Sequence, residues 1–232
     1  MTMRSMLLLI VTGAISLVIE GIEGSEDTLH FVYLNSTYQS CMGTLIAPQW
    51  ILTAAHCFLP NLQIIFRGGS RKFEEFTGEI LSYEKIITHP NFTATSPNND
   101  LMLIKLSTSS IYFSTKNLQL PTSIANKVKY CLAYTWLGVA DSDLYNIEII
   151  LNARSACELL LLDHFQKDMF CVGYQLGGSE NCQVVSAIPV VCDGEVQGIL
   201  SWTTGCLLLE YVNVFTDVYN YVPWIEKVIS TQ

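Results

Sequence analysis

Eight cysteines constrain this chain more than any other feature of it. They stand at Cys41, Cys57, Cys131, Cys157, Cys171, Cys182, Cys192 and Cys206. The number is even and no C-x-x-C pair occurs, a pattern that favours disulfides over a thiolate metal site or a redox pair. Disulfides persist in oxidising compartments, and the N-terminus agrees. Arg4 precedes an apolar run over residues 6–19 broken only by small residues and Ser16. That run suits a leader core and falls short of the roughly 20 apolar residues of a bilayer span. Residues 1–22 therefore read as a cleaved signal peptide, with an uncleaved anchor as the alternative. Asn35-Ser36-Thr37 and Asn91-Phe92-Thr93 are glycan acceptor triplets, of a kind that also arises by chance.

Composition sets further bounds. Half of the 232 residues are apolar and 14% are charged, so the chain can bury a sizeable core and is no disordered tail. A formal net charge of -9 argues against nucleic acid and anionic membranes, which need Lys and Arg. It is compatible with a cationic partner, although acidity also serves solubility alone.

Short strands with turn signals between them fill most of the sequence. Strands are expected at 44–46, 50–53, 62–66, 79–88 and 101–106, then at 130–136, 147–152, 169–173, 189–192, 198–202 and 212–218. Such spacing predicts all-β barrels or sandwiches. Two helices are expected, at 155–165 after a capping Ser155 and at 221–229 near the C-terminus. No internal repeat is evident.

Nucleophilic hydrolysis needs a hydroxyl, an imidazole within its reach, and a carboxylate that orients the imidazole. Of four histidines, His56 is the informative one. It follows an apolar strand in Thr53-Ala54-Ala55-His56-Cys57, where the alanines leave room for close packing. A Cys41–Cys57 loop would hold its backbone and stabilise by ~3 kcal/mol. His30, His89 and His164 are scattered and make no metal cluster. Taken singly, a histidine beside a cysteine is a packing residue, Asp100 a turn residue and Ser186 one serine among many.

Together they resemble a family. T-A-A-H-C at 53–57 is similar to the histidine motif of the chymotrypsin/trypsin (S1) serine proteases, and N-D-L-M-L-I-K-L at 99–106 to their aspartate motif. The stretch from Cys182 to Cys192 resembles the nucleophile segment. Gly198-Ile199-Leu200-Ser201-Trp202 resembles the substrate-wall strand, and Tyr221-Val222-Pro223-Trp224-Ile225 the C-terminal helix. The resemblance runs in family order from about Leu29 to the end, and is greatest to the divergent trypsin-X group, serine protease 58-like. It implies two six-stranded antiparallel β-barrels packed face to face, with a C-terminal helix. Barrel one would span about 29–117 and barrel two about 118–232, within a peptidase domain over 25–232. It implies His56 as general base, Asp100 as its orienting carboxylate, Ser186 as nucleophile, and Ser201 donating toward Asp100. It implies the pairings Cys41–Cys57, Cys131–Cys192, Cys157–Cys171 and Cys182–Cys206. No cofactor and no metal are implied, and the loop over 67–79 does not reproduce the family's calcium-binding acids.

The chain departs from the family at the nucleophile. The family's G-D-S-G-G-P reads V-V-S-A-I-P here. Val185 replaces the aspartate that pairs, in the family, with the amine of a newly cut N-terminus and so orders the oxyanion loop. The partner is missing too: no Lys or Arg lies between Arg4 and Arg67, so no trypsin-type activation site exists. Val184 replaces the glycine whose N–H serves the oxyanion together with that of Ser186, and a β-branched residue resists positive φ. Ala187 and Ile188 fill the place of two glycines. In the substrate pocket, Glu180 falls where trypsins carry the floor aspartate, though an exposed loop acid reads equally well. Thr203 and Asn213 replace the two wall glycines beside Ser201 and Trp202, which predicts a narrowed or closed pocket.

The resemblance and these replacements imply a secreted, extracellular, monomeric homologue of weak or no activity. It would act by binding a peptide or protein ligand, with no nucleic acid and no membrane once the leader is cut. An active endopeptidase using His56, Asp100 and Ser186 is the alternative, and a hydrolase of small esters a third reading.

Overall fold

The computed structural model describes residues 20–21, 30–66, 78–110, 118–124, 130–136, 144–151, 167–173, 185–203 and 212–232. In chain order the strands of the first half are β1 (Glu20–Gly21), β2 (Phe31–Asn35), β3 (Ser40–Ala47), β4 (Trp50–Thr53), β5 (Gln63–Phe66), β6 (Glu79–Leu81), β7 (Tyr83–Thr88) and β8 (Met102–Leu106). The second half adds β9 (Tyr130–Trp136), β10 (Leu144–Ile150), β11 (Met169–Gly173), β12 (Pro189–Cys192), β13 (Glu195–Thr203) and β14 (Val212–Asp217). Helix α1 (Val222–Thr231) closes the chain, after a 3-10 turn over Val218–Tyr221. The helix expected at 155–165 lies outside the described residues. Among the described residues no helix is long and apolar enough to cross a membrane.

Two antiparallel sheets follow the expected double-barrel plan. The first runs β6-β5-β2-β3-β4-β8-β7. Its two ends, β6 and β7, are consecutive in the chain and separated only by Ser82. The single run expected over 79–88 is thus one strand bent at Ser82, whose halves serve opposite edges, so six strands close the barrel. The second sheet runs β1-β10-β9-β12-β13-β14-β11, six strands plus the two-residue β1. Glu20 and Gly21, which the sequence reading places inside the leader, pair with Asn146 and Tyr145.

Branched and aromatic residues dominate the central strands β4 and β8, where nearly every side chain is buried. All four residues of β4 are buried, and so are Met102, Leu103 and Ile104 of β8. Phe31 packs on Tyr134 with the rings tilted and their centroids 4.7 Å apart, and Tyr33 meets Trp136 edge-on at 5.8 Å. These pairs join β2 of one barrel to β9 of the other in one continuous core. In barrel two, Phe170 stacks on Phe215 at 5.3 Å. Gly198 admits that pair, since a Cβ there would lie 2.3 Å from Phe170 Cζ. The Cys131–Cys192 disulfide ties β9 to β12.

Candidate active site

His56 is carried by a 3-10 turn, Ala55–Cys57, at the end of β4. Ala54 and Ala55 are buried, so their small side chains let this turn sink against the barrel wall. Thr53 Oγ1 donates to the Met42 carbonyl at 2.7 Å, and the Cys41–Cys57 disulfide anchors the far side. Asp100 enters from the opposite direction, on the turn before β8. It is 2% exposed and accepts three hydrogen bonds. The His56 backbone N–H donates to Oδ1 at 2.9 Å. His56 Nδ1 donates to Oδ2 at 2.7 Å, and the Ser201 hydroxyl donates to the same oxygen at 2.6 Å.

The carboxylate accepts only, so it fixes the Nδ1–H tautomer and leaves Nε2 as an acceptor. Nε2 lies 2.6 Å from Ser186 Oγ, within reach for proton transfer. Three residues from separate sequence motifs thus meet in one hydrogen-bonded line: carboxylate, imidazole, hydroxyl. The His56 side chain is 25% exposed, so the line opens to solvent on one side. The one cluster of metal-ligand residue types found among the described residues, Cys41, His56 and Cys57, has both sulfurs committed to the disulfide.

The backbone at Ser186 has a geometry that residue spacing does not show. Ser186 N–H donates to the Ser40 carbonyl at 2.9 Å, and Met42 N–H donates to the Ser186 carbonyl at 2.8 Å. Ser186 is thereby stitched, in parallel, alongside Cys41 at the edge of β3. An amide hydrogen engaged in that bond does not point at a carbonyl under attack by its own hydroxyl. Val185, on one side of Ser186, is 2% exposed and part of the apolar core. Ala187, on the other, has φ 57, a left-handed conformation that costs an L side chain about 1–2 kcal/mol and glycine nothing. Ala187 and Ile188 are both 1% exposed, so the two residues that follow the nucleophile are packed into the apolar core.

Thr203 of β13 and Asn213 of β14 stand opposite one another at a single rung of the sheet. The two positions expected to narrow the pocket are thus paired in the strand register. Asn213 is fully buried, and neither polar atom of its amide has a hydrogen-bond partner among the described residues. Ser201 and Trp202 lie on β13 just before this rung. Glu180 and Val184 lie outside the described residues, as do Cys157, Cys182 and Cys206. Cys171 is disulfide-bonded. Asn91 is exposed on the turn after β7, and Asn35 is half-buried at the end of β2.

Sequence reasoning missed Ser40, whose contribution is a backbone carbonyl that carries no residue signature. It also missed the group around Asn99. Tyr221 O–H lies 3.3 Å from Asn99 Oδ1 and donates to Asp168 Oδ2. Burial, reinforced by the Asp168 carboxylate, raises the Tyr221 pKa far above its ordinary value, which keeps the phenol a donor. His89 packs edge-on to Tyr221 and Trp224, with centroids at 5.2 and 4.9 Å. Burial lowers its pKa, against the opposing pull of Asp168.

A family model described as trypsin matches residues 20–225. The chain is 36% identical over 207 residues to a trypsin of Xenopus laevis, covering 86% of this chain and 85% of that protein. It is 38% identical over 211 residues to a Bos taurus protein named probable inactive serine protease 58, covering 87% of each. To serine protease 58 of Homo sapiens it is 36% identical over 215 residues, covering 89% of each.

Proposed function

The chain belongs to the trypsin family of serine proteases, and on that premise we propose that it is a secreted homologue which binds peptide or protein chains while cutting them poorly or not at all. The observation that carries this reading is the Ser186 N–H held by Ser40 O at 2.9 Å. In this family His56 would take the Ser186 proton, Asp100 would steady the resulting imidazolium, and Oγ would attack a carbonyl. The negative charge then forms on the carbonyl oxygen, where amide hydrogens must already be aimed. Losing one such donor costs about 100- to 1,000-fold in rate. Freeing the Ser186 amide means breaking its bond to Ser40, and Val185 offers no charge through which an N-terminal amine could draw the loop into another shape. Val184, as the other oxyanion donor, would suffer from its β-branch.

Supporting details extend the reading to the ligand and the compartment. Thr203 and Asn213 at one rung favour a pocket too short for a long basic side chain, even with Glu180 at its floor. The leader over 1–22, glycans on Asn35 and Asn91, the extracellular location and the monomeric state belong to this proposal. So do the pairings Cys157–Cys171 and Cys182–Cys206.

A second reading is an active endopeptidase, and the intact line from Asp100 through His56 to Ser186, at 2.7 and 2.6 Å, favours it. One experiment separates the two. Mature glycosylated protein is exposed to a serine-directed phosphonate, with a trypsin as positive control and Ser186→Ala as negative control. The proposal expects no capture, or capture at least about 100-fold slower than the trypsin. Prompt labelling that vanishes in Ser186→Ala overturns it in favour of the second reading. Mass spectrometry of the N-terminus in the same sample locates the leader cut relative to β1.

A further inference from the structure

The Asp100 carboxylate is aimed by its backbone, and that backbone is unusual. Asn99 immediately before it has φ 55, a left-handed conformation that asparagine adopts more readily than most residues but still at a cost. Leu101 N–H closes a tight turn onto the Asn99 carbonyl at 2.8 Å, with Asp100 at its apex. Something must keep Asn99 in this conformation. Its amide has a partner at each end: Nδ2 donates to the Asn91 carbonyl at 3.4 Å, and Oδ1, at 3.3 Å, shares the single Tyr221 O–H proton with Asp168 Oδ2, the nearer acceptor. Tyr221 is 4% exposed, stands at the junction of the last 3-10 turn with α1, and is itself fixed by Asp168. Asp168 is fixed in turn by its backbone, whose carbonyl accepts from Asp217 N–H at 2.8 Å.

We infer that Tyr221 is a positioning residue: its hydroxyl, moored on Asp168, clamps Asn99 in the left-handed turn that points the Asp100 carboxylate at His56. The clamp spans the two barrels, because Tyr221 and Asp168 belong to the second and the 99–101 turn to the first. His89 and Trp224 wall the Tyr221 ring and hold the phenol over Asn99. The inference rests on the triad's geometry and not on turnover, so capture or non-capture by the phosphonate leaves it standing.

The test reads the His56–Asp100 hydrogen bond directly, through the low-field proton NMR resonance of His56 Nδ1–H, assigned by its absence in His56→Ala. Tyr221→Phe removes only the hydroxyl. It is expected to move this resonance upfield or lose it to exchange, in a protein whose circular dichroism matches the wild type. Asp168→Asn is expected to move it the same way by less, and decides the matter if Tyr221→Phe does not fold. Adding Asn99→Gly to Tyr221→Phe is expected to restore it, since glycine needs no clamp to hold φ 55. A wild-type resonance in folded Tyr221→Phe overturns the inference, as does failure of Asn99→Gly to restore it, or absence of the resonance from the wild type itself.

Discussion

Replacing Val185 with aspartate re-creates the residue that the family's motif carries at this place. Val185 is 2% exposed and packs in the apolar core. A carboxylate placed there loses its water, and on the proposed reading it meets no cation. A buried charge left without its partner destabilises by about 3–5 kcal/mol. In a domain of this size each kcal/mol lowers the melting temperature by about 2–4 °C, so the melt should fall by roughly 6–20 °C. The pH dependence follows from the same physics. Burial raises the pKa of the new carboxyl, so the loss is greatest at neutral pH and shrinks as acid neutralises the group. Val185→Asn, similar in size and without charge, serves as control and should lose less, with no such pH dependence. Calorimetry of the three proteins at pH 7 and pH 4 makes the comparison. If Val185→Asp melts within 2 °C of wild type at pH 7 (~1 kcal/mol or less on the same scale), a cation is available to the loop. That cation could then reorder the Ser186 backbone, which refutes the proposed cause of silence.

Other outcomes follow from the same structure. Capture of Ser186 by the phosphonate should be absent, or about 100-fold or more below a trypsin control, and Ser186→Ala should abolish any residue of it. Tyr221→Phe should disturb the His56 Nδ1 proton signal without unfolding the chain, and Asn99→Gly should repair it. Gly198→Ala should lower the denaturant midpoint by the equivalent of about 1–3 kcal/mol, because its Cβ would lie 2.3 Å from Phe170 Cζ and 3.2 Å from Phe215 Cβ. His89, with its pKa held below the ordinary 6.5 by burial, takes up a proton less readily folded than unfolded. Stability should therefore decline as pH falls from about 6.5 through the folded value, and His89→Gln should flatten that part of a plot of melting temperature against pH.

Much of this molecule is legible in its residues, and the boundary has a physical cause. His56, Asp100, Ser186 and Ser201 stood out because each lies in a local motif, and the fold brings those motifs to one place through the strand order. The pairs Cys41–Cys57 and Cys131–Cys192 followed from the same resemblance and are present. Strand ends were less legible: β3 extends to Ser40, and it is this extension that carries the carbonyl facing Ser186. Hydrogen bonds between backbone groups are blind to side-chain identity, so no pattern of letters announces that one. The clamp on Asn99 was hidden for a different reason. Its members, Asn99, Asp168 and Tyr221, are separated by 53 and 122 positions along the chain, and each has an ordinary local role. The bend at Ser82 escaped notice because a lone serine within a strand-forming run carries no Gly or Pro turn signal.

The bond between Ser186 and Ser40 is also a seam joining the two halves of the molecule. Any variant that turns the Ser186 amide toward substrate must open this seam. Gains in catalysis and losses in heat tolerance should then appear in the same mutants. On the proposed reading, selection for thermal robustness alone would keep Ser186 bonded to Ser40.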